Sequence, residues 1–462
     1  MKRIIFILAT LLFSYIALCQ NITGEWNGAL SVQGMKLRLV FHITQSGTNY
    51  TATMDSPDQG AKGIAMTSAL FENNILTIEH SLAKIKFTGN LIKADSISGN
   101  FVQGGQQFPL ILTRHQIIVE KTKHPQEPVK PFPYNSEEIT FENSIDSITL
   151  AGTFTYPKTA GKFTTVILVS GSGPQNRDEE ILGHKPFLLL SDYLTRNGIA
   201  VLRFDDRGCY ESKGDFAKAT SNDFAKDVEA AVKYLRTRKE VNTKKIGIIG
   251  HSEGGIIAPL VAVKDKKINF IVLMAGPGIS GGDIIIRQTE LIGRANGVTE
   301  TDLKESLKSQ TQIIDYLVNI KKSDSLKVKL DSHLRLKMLE NPEMRNNEKI
   351  NDLVNQQITQ LTSPWYLNFI RYNPAPTLEK VKCSVLAIIG SKDLQVPSEE
   401  NLKAIKNALT KAKNKKFIAK ELAGLNHLFQ ECKTGAPGEY ASIKQTISPV
   451  ALDIMLKWIK SK

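Results

Sequence analysis

The chain has 462 residues, of which 41% are hydrophobic and 23% are charged, and its formal net charge is +13 at pH 7. This length predicts two or three domains, and the composition excludes both a disordered chain and a bundle of membrane helices. The lysines are scattered, without a basic stripe interleaved with aromatic residues, so we expect no nucleic-acid partner. No His, Cys and carboxylate residues recur at the spacing of metal ligands, so no metal and no other cofactor is predicted.

Residues 1–19 have the pattern of a signal peptide. A basic start precedes an apolar run over residues 4–13, and Ala17 and Cys19 are the small residues that a cleavage site requires. The run is short for a membrane span, so we expect cleavage after Cys19 and export to the periplasm or the medium. Acylation of Cys19, giving a lipoprotein, is the alternative, and the bulky Leu18 disfavours it. Of the four cysteines, three would remain, and the sequence selects no disulfide among them: Cys209, Cys383 and Cys432.

Residues 20–114 show the short alternating strands of an all-β domain. The stretch 36–43 places alternate apolar residues on one face, and Asn73 and Asn74 form a turn between two apolar runs. We predict a small barrel or sandwich, which either encloses a ligand or, as is more common at this size, is filled by its own side chains. Residues 115–138 hold prolines among charges and are predicted to be a semi-rigid linker.

From residue 139 to the end, buried strands alternate with helical patterns. This alternation predicts an α/β fold with a mostly parallel sheet covered by helices on both faces. Residues 139–141 and 148–156 are expected to be two edge strands, and Ser221 or Asn222 is expected to cap the helix over 224–235.

Residues 279–372 interrupt that alternation with helical patterns in Lys- and Gln-rich sequence. The segment is inserted between two core strands, where loops build the sites of α/β proteins, so we predict a lid over the catalytic face. The alternative is a helical decoration without a catalytic part.

The sequence Gly250-His251-Ser252-Glu253-Gly254 is an instance of G-x-S-x-G between a buried strand and a helix. That context predicts a nucleophile elbow with Ser252 as the nucleophile, and the flanking glycines would let strand and helix pack closely. The amide of Glu253, at the start of the helix, is a predicted oxyanion donor. The alternative is a glycine-rich turn with an incidental serine.

A serine nucleophile needs a base and an acid that orients the base. Asp393 follows the strand over 384–389, and His427 follows the strand around Phe417. The order Ser, Asp, His is typical of an α/β-hydrolase. Asp283 is the competing acid. The amide of Ser172, in a glycine-rich loop after an early core strand, is the second predicted oxyanion donor; the side chain of His251 is expected to diverge from Ser252.

Four motifs, at residues 170–179, 205–208, 250–255 and 390–397, resemble exported bacterial α/β-hydrolase esterases related to the serine aminopeptidase-like hydrolases. Those proteins carry an N-terminal lipocalin-like β domain, and residues 24–28 resemble its opening. The resemblance covers nearly the whole mature chain. It implies an α/β-hydrolase fold with an inserted helical lid, preceded by the small β domain. Two departures are Ser170, where many relatives have His, and the sequence Cys209-Tyr210-Glu211 after Asp-Arg-Gly.

The resemblance also implies carboxylesterase activity on short acyl esters with the triad Ser252, Asp393 and His427. We therefore predict a serine hydrolase that cleaves small-molecule esters through an acyl-enzyme. The same triad would serve a peptidase, because the lid decides the substrate. The alternative of another class is an exported ligand-binding protein with an inert hydrolase fold, and a complete triad argues against it.

Overall fold

The computed structural model describes residues 21–32, 35–57, 61–81, 85–103, 106–117, 124–340 and 350–462. The predicted signal peptide and Cys19 lie outside these residues. The chain divides into two compact units, residues 1–120 and residues 121–462. Within the described ranges, no helix has both the length and the apolar character that a membrane crossing needs.

The first unit is an antiparallel barrel. Strand β2 pairs with both β1 and β3, and β9 pairs back to β1, so eight strands close a ring while β4 pairs with β3 beside it. The predicted all-β domain is therefore a barrel. Its described strands are Gly24–Val32 (β1), Met35–Ser46 (β2), Asn49–Ser56 (β3), Ala61–Ala65 (β4), Ser68–Glu72 (β5), Ile75–His80 (β6), Ile85–Lys93 (β7), Ser96–Gln103 (β8) and Gln106–Thr113 (β9).

Large side chains fill the interior of this barrel. Trp26, Phe41, Phe87 and Phe101 are fully buried and belong to one hydrophobic cluster. The guanidinium of Arg114 lies 3.8 Å from the centre of the Trp26 ring. Of the two alternatives for a small barrel, a core made of its own side chains is the one observed.

The second unit contains an eight-stranded sheet in the order β10-β11-β13-β12-β14-β15-β16-β17. Strand β11 is antiparallel to both of its neighbours, and the strands from β13 to β17 run parallel. The expectation of two edge strands was half wrong: β10 is an edge, whereas β11 is paired on both sides and mostly buried. The strands are Asn135–Asn143 (β10), Ile148–Tyr156 (β11), Phe163–Val169 (β12), Ala200–Phe204 (β13), Val241–His251 (β14), Phe270–Met274 (β15), Ser384–Gly390 (β16) and Phe417–Leu422 (β17).

Helices cover both faces of the sheet. One hydrophobic cluster holds α2, α3 and α10 against it, and a second holds α1 and α11. The N-cap of α2 is Thr220, not Ser221 or Asn222, because the Asp223 carboxylate accepts the Thr220 backbone N–H at 3.0 Å. These helices are Pro186–Arg196 (α1), Ser221–Leu235 (α2), Gly254–Lys264 (α3), Ser398–Lys411 (α10) and Pro449–Lys460 (α11).

The inserted segment has a hydrophobic core of its own, to which Leu317, Leu330 and Val354 contribute. Ile256 and Ile389 belong to the same cluster. They stand at the start of α3 and near the end of β16, so the inserted helices pack at the edge of the sheet where parallel strands end. These helices are Gly281–Ala295 (α4), Glu300–Asn319 (α5), Ser323–Glu340 (α6), Ile350–Leu361 (α7) and Pro364–Arg371 (α8), followed by Ala375–Leu378 (α9).

Part of the predicted linker packs against the α/β unit. The side chain of Gln126 accepts the backbone N–H of Thr446 at 2.6 Å and donates to the carbonyl of Ile447 at 2.8 Å. The hydroxyl of Tyr134, a buried residue, donates to Asp192 at 2.9 Å. Strand β10 begins one residue later, so residues 124–134 are anchored on the α/β unit instead of forming a free spacer.

Candidate active site

Ser252 lies on a sharp turn between β14 and α3. Its φ of 51° is in the left-handed region, which costs a residue other than glycine free energy. The Ser252 backbone N–H donates to the carbonyl of Met274 at 2.8 Å, and its carbonyl accepts from Gly255 N–H at 2.8 Å. These two bonds hold a strained residue in place and leave its side chain half-buried at the end of the strand.

Two glycines make this turn sterically feasible. A Cβ at Gly250 would lie 1.9 Å from the carbonyl oxygen of Gly254, and a Cβ at Gly254 would lie 2.2 Å from the carbonyl oxygen of Val169. Any side chain at either position would therefore collide with backbone. This is the close packing of strand and helix that the sequence pattern predicts.

Asp393 and His427 meet on neighbouring loops. His427 Nδ1 lies 2.8 Å from Asp393 Oδ2, and both side chains are buried. Asp393 Oδ1 accepts the backbone N–H groups of Gln395 and Val396 at 2.9 and 2.8 Å, which fixes the carboxylate. A neutral imidazole that donates through Nδ1 keeps its lone pair on Nε2, the state that a general base needs.

The loops carrying this pair approach closely because of Gly390. A Cβ there would lie 2.1 Å from the carbonyl oxygen of Leu425.

The competing acid, Asp283, is exposed in the first turn of α4 and accepts the Ser280 hydroxyl at 2.5 Å. Asp283 therefore holds the N-cap residue of α4, Ser280, and the carboxylate that contacts His427 is that of Asp393.

The predicted oxyanion donors lie on two segments beside Ser252. A Cβ at Gly171 would lie 3.1 Å from Ser252 Cβ, so the loop after β12 passes against the nucleophile. The Gly171 N–H already donates to Glu179 Oε1 at 2.8 Å, whereas Ser172, the next residue, is exposed. Glu253 is the N-cap residue of α3. The backbone N–H of a residue at this position has no acceptor within the helix.

The side chain of Glu253 points away from the solvent and was not predicted to have a role. It is buried, accepts the Ser221 hydroxyl at 2.6 Å, and accepts the indole N–H of Trp365 on α8. Burial raises the pKa of Glu253, against the opposite effect of these two hydrogen bonds. The residue after the nucleophile is thus tied to α2 and to the inserted helices.

His251 diverges from Ser252, as expected, and contacts two other parts of the site. Its Nδ1 lies 2.9 Å from Glu179 Oε1, and its Nε2 lies 3.0 Å from the backbone carbonyl oxygen of His427. Burial alone would lower the pKa of His251, but the Glu179 carboxylate raises it above its ordinary value. No role was predicted for Glu179, although it is the last residue of the motif at residues 170–179.

Asp206 holds both ends of the loop over residues 170–175. Its Oδ1 accepts the Ser170 hydroxyl at 2.9 Å and its Oδ2 accepts the Gln175 N–H at 3.0 Å. Burial raises the pKa of Asp206 to about 8, with Glu253 and Glu179 adding repulsion. The Ser170 hydroxyl and the Gln175 amide thus anchor the two ends of this loop on one carboxyl group.

Among the described residues, no group of three or more His, Cys, Asp or Glu side chains is arranged to hold a metal ion. The thiols of Cys209, Cys383 and Cys432 are free. Burial raises the pKa of Cys209 to about 11, so this thiol stays protonated at neutral pH.

The strand order, the elbow at Ser252 and the Asp393–His427 pair define an α/β-hydrolase. The family model described as X-Pro dipeptidyl-peptidase (S15 family) matches residues 91–421, which is most of the chain. The chain therefore belongs to this family of hydrolases. The matched span includes Ser252 and Asp393 and ends before His427.

One relative by sequence is named as an esterase. Esterase EstD of Thermotoga maritima is 31% identical over 184 residues, a match that spans 39% of this chain and 42% of EstD. An uncharacterised 31.7 kDa protein of Escherichia coli, from the traX-finO intergenic region, is 22% identical over 56% of this chain and 82% of its own length. The structure of the Pyrococcus furiosus esterase PF2001 aligns with a TM-score of 0.43 at 17% identity, covering 74% of this chain and 98% of that protein.

Proposed function

We propose that the protein is a serine hydrolase that cleaves carboxylic esters with short acyl chains. The observation that carries this proposal is the hydrogen bond of 2.8 Å between His427 Nδ1 and Asp393 Oδ2, on loops that follow two core strands at the sheet edge where Ser252 forms the elbow. One relative, the esterase EstD, supports ester substrates.

In the proposed reaction, His427 Nε2 takes the proton of the Ser252 hydroxyl as its oxygen attacks the ester carbonyl carbon. The carbonyl oxygen becomes an oxyanion, and the amides of Ser172 and Glu253 stabilise its charge. When the tetrahedral intermediate collapses, the imidazolium returns its proton to the leaving alcohol. Water then attacks the acyl-enzyme by the same route, releasing the carboxylic acid and free Ser252. Asp393 keeps the His427 ring oriented and stabilises the imidazolium.

A second candidate function is hydrolysis of peptides, and the family match to X-Pro dipeptidyl-peptidases favours it. A Ser-His-Asp triad cleaves amides as well as esters, so the substrate pocket decides which of the two substrates is hydrolysed. We propose that the helices α4 to α8 form a lid over this pocket, because they pack at the sheet edge that carries the site. We also propose that the protein is exported to the periplasm or the medium, as the pattern of residues 1–19 predicts.

Hydrolysis of a panel of substrates by the full mature chain tests the two candidates. The panel holds nitrophenyl esters of increasing acyl length, aminoacyl anilides and dipeptidyl anilides with proline at the second position. We expect turnover of the short esters at rates well above those of the anilides, and its loss in Ser252→Ala. Faster turnover of the proline anilides would identify a peptidase. No turnover of any substrate, with no labelling of Ser252, would favour a ligand-binding protein with an inert fold.

A further inference from the structure

We propose that Glu179 and His251 form a buried ion pair that positions His427 relative to the loop over residues 170–175, here called the oxyanion loop. This inference rests on the proposed function, because it assigns the pair its task from the roles of Ser252 and His427. Neither residue belongs to the Ser-Asp-His triad. His251 is a positioning residue, since its ring contacts the backbone of the proposed base instead of the reacting atoms.

The hydrogen-bond partners of His251 determine its protonation state. Nδ1 faces the Glu179 carboxylate at 2.9 Å, and Nε2 faces the backbone carbonyl of His427 at 3.0 Å. An ionised carboxylate and a carbonyl accept hydrogen bonds and donate none. Both ring nitrogens must therefore carry a proton, and His251 is an imidazolium.

A lone imidazolium at this position would be costly, because His251 is only 4% exposed. Glu179, itself 1% exposed, supplies the compensating negative charge in direct contact. The other ionisable groups that act on His251 or face it are Asp393, whose charge also favours the protonated ring, and His427, whose ring centre lies 4.9 Å from that of His251. The apolar ring of Phe429 closes a further side at 6.4 Å.

The pair connects the oxyanion loop with the proposed general base, His427. Glu179 Oε1 accepts both the His251 Nδ1–H and the backbone N–H of Gly171, which precedes the proposed oxyanion donor Ser172. The continuous path therefore runs from the oxyanion loop through Glu179 and His251 to the backbone of His427. Because His251 adjoins Ser252 in the chain, this path passes beside the nucleophile.

The variant Glu179→Gln tests this path without changing its shape. If the amide oxygen replaces Oε1, a neutral His251 donates through Nδ1, and its bare Nε2 then faces the His427 carbonyl. If the amide nitrogen replaces Oε1, it meets the N–H of Gly171 donor to donor. In either orientation one of the three hydrogen bonds, Gly171 to Glu179, Glu179 to His251 or His251 to His427, is lost. The isosteric variant therefore interrupts the hydrogen-bonded path between the oxyanion loop and His427.

The direct measurement is ¹⁵N NMR of the histidine rings in the full mature chain labelled at imidazole nitrogen. At pH 8 we expect one histidine with protons on both ring nitrogens in slow exchange with water, assigned by its absence in His251→Gln. In Glu179→Gln one of these two protons should be lost. A wild-type His251 with a single ring proton at pH 8 would overturn the proposal, whether or not the protein hydrolyses esters.

Kinetics then measure the consequence for the proposed reaction. Misplacing a catalytic group by about 1 Å costs on the order of 100-fold in rate, so we expect Glu179→Gln and His251→Gln to lower kcat roughly 10- to 100-fold with KM within a few-fold. Because the two residues act in one path, the double variant should be little worse than His251→Gln.

The control is His42→Gln. His42 lies on β2 of the barrel, and its Nε2 contacts Asp55 Oδ2 at 3.0 Å, so this substitution also removes a histidine from a carboxylate contact but should leave kcat within about threefold. Glu179→Gln and His251→Gln variants that melt earlier yet keep wild-type kcat would reduce the pair to a structural role and refute the positioning proposal. If the wild type hydrolyses nothing and Ser252 takes no label, the proposed function fails, while the NMR result still decides the state of His251.

Discussion

The indole Nε1 of Trp365 lies 2.9 Å from Oε2 and 3.0 Å from Oε1 of Glu253. Trp365 belongs to α8 in the inserted segment, and Glu253 follows Ser252 directly. The backbone amide of Glu253 is a proposed oxyanion donor, so a single residue connects the proposed lid to the proposed oxyanion hole. A substitution in α8 should therefore affect the proposed oxyanion hole.

Trp365→Phe should lower the free energy of unfolding, because it removes a donor from the buried Glu253 carboxyl group. The cost of leaving such a group with one partner fewer is about 1–3 kcal/mol. Urea unfolding measures it. The matched control is Trp458→Phe, which makes the same chemical change at a tryptophan that packs edge-on against Phe270 at 5.7 Å. Equal losses at the two positions would show that ring packing, not the bond to Glu253, sets the cost.

Ser252 should react covalently with an organophosphonate, because its left-handed backbone holds the hydroxyl at the end of β14. Mass spectrometry of the digested protein should find the label on the peptide that contains Ser252. Ser252→Ala should remain folded and unlabelled. A label on another residue, or labelling that survives this substitution, would contradict the assignment of the nucleophile.

Asp393→Asn should lower kcat by roughly three to four orders of magnitude and leave KM within a few-fold, because the amide no longer holds the histidine tautomer or stabilises its charge. Asp283→Asn is the control, since Asp283 only accepts the hydroxyl that caps α4. It should keep kcat within about twofold. Steady-state kinetics on the best substrate compare the two variants, and the reverse result would move the acid to Asp283.

Asp206→Asn should flatten the dependence of stability on pH. Burial raises the pKa of Asp206 to about 8 in the folded protein, whereas an aspartate in an unfolded chain titrates near pH ~4. Between these values the folded state binds more protons than the unfolded state, so the free energy of unfolding falls as pH rises. The slope is at most about 1.4 kcal/mol per pH unit. Urea unfolding at pH 5, 6, 7 and 8 should show that the variant gains stability relative to wild type as pH rises, and parallel curves would refute the shift.

Residues 121–462 should fold without the barrel, since they form a compact unit of their own. A shorter chain that begins at Asn135 should be less stable by a few kcal/mol, because it lacks the bonds from Gln126 to Thr446 and from Tyr134 to Asp192. Circular dichroism during thermal unfolding compares the two chains. Equal midpoints would show that residues 121–134 contribute nothing to the α/β unit.

The fold prediction depended on strong local patterns of apolar residues. Continuous apolar runs identified the parallel strands, and the alternation at residues 36–43 identified β2, because burial imposes a fixed period on each element. Strand β1, with Trp26 among Gly and Asn residues, has no such run and was not predicted. Closure of the barrel and the pairing of β11 on both sides depend on contacts between distant segments, which no local period encodes.

The sequence by itself determined the candidate catalytic residues. An elbow motif and two polar residues after core strands locate Ser252, Asp393 and His427 at one sheet edge, because parallel strands end together. Only the tertiary structure decided which acid reaches His427, and that Glu179, His251, Asp206 and Trp365 contact the site. Those contacts join residues up to 176 positions apart, as His251 and His427 are, and they depend on how loops pack after folding. Hydrogen-bond partners at that distance follow from three-dimensional packing and leave no spacing in the chain that could reveal them.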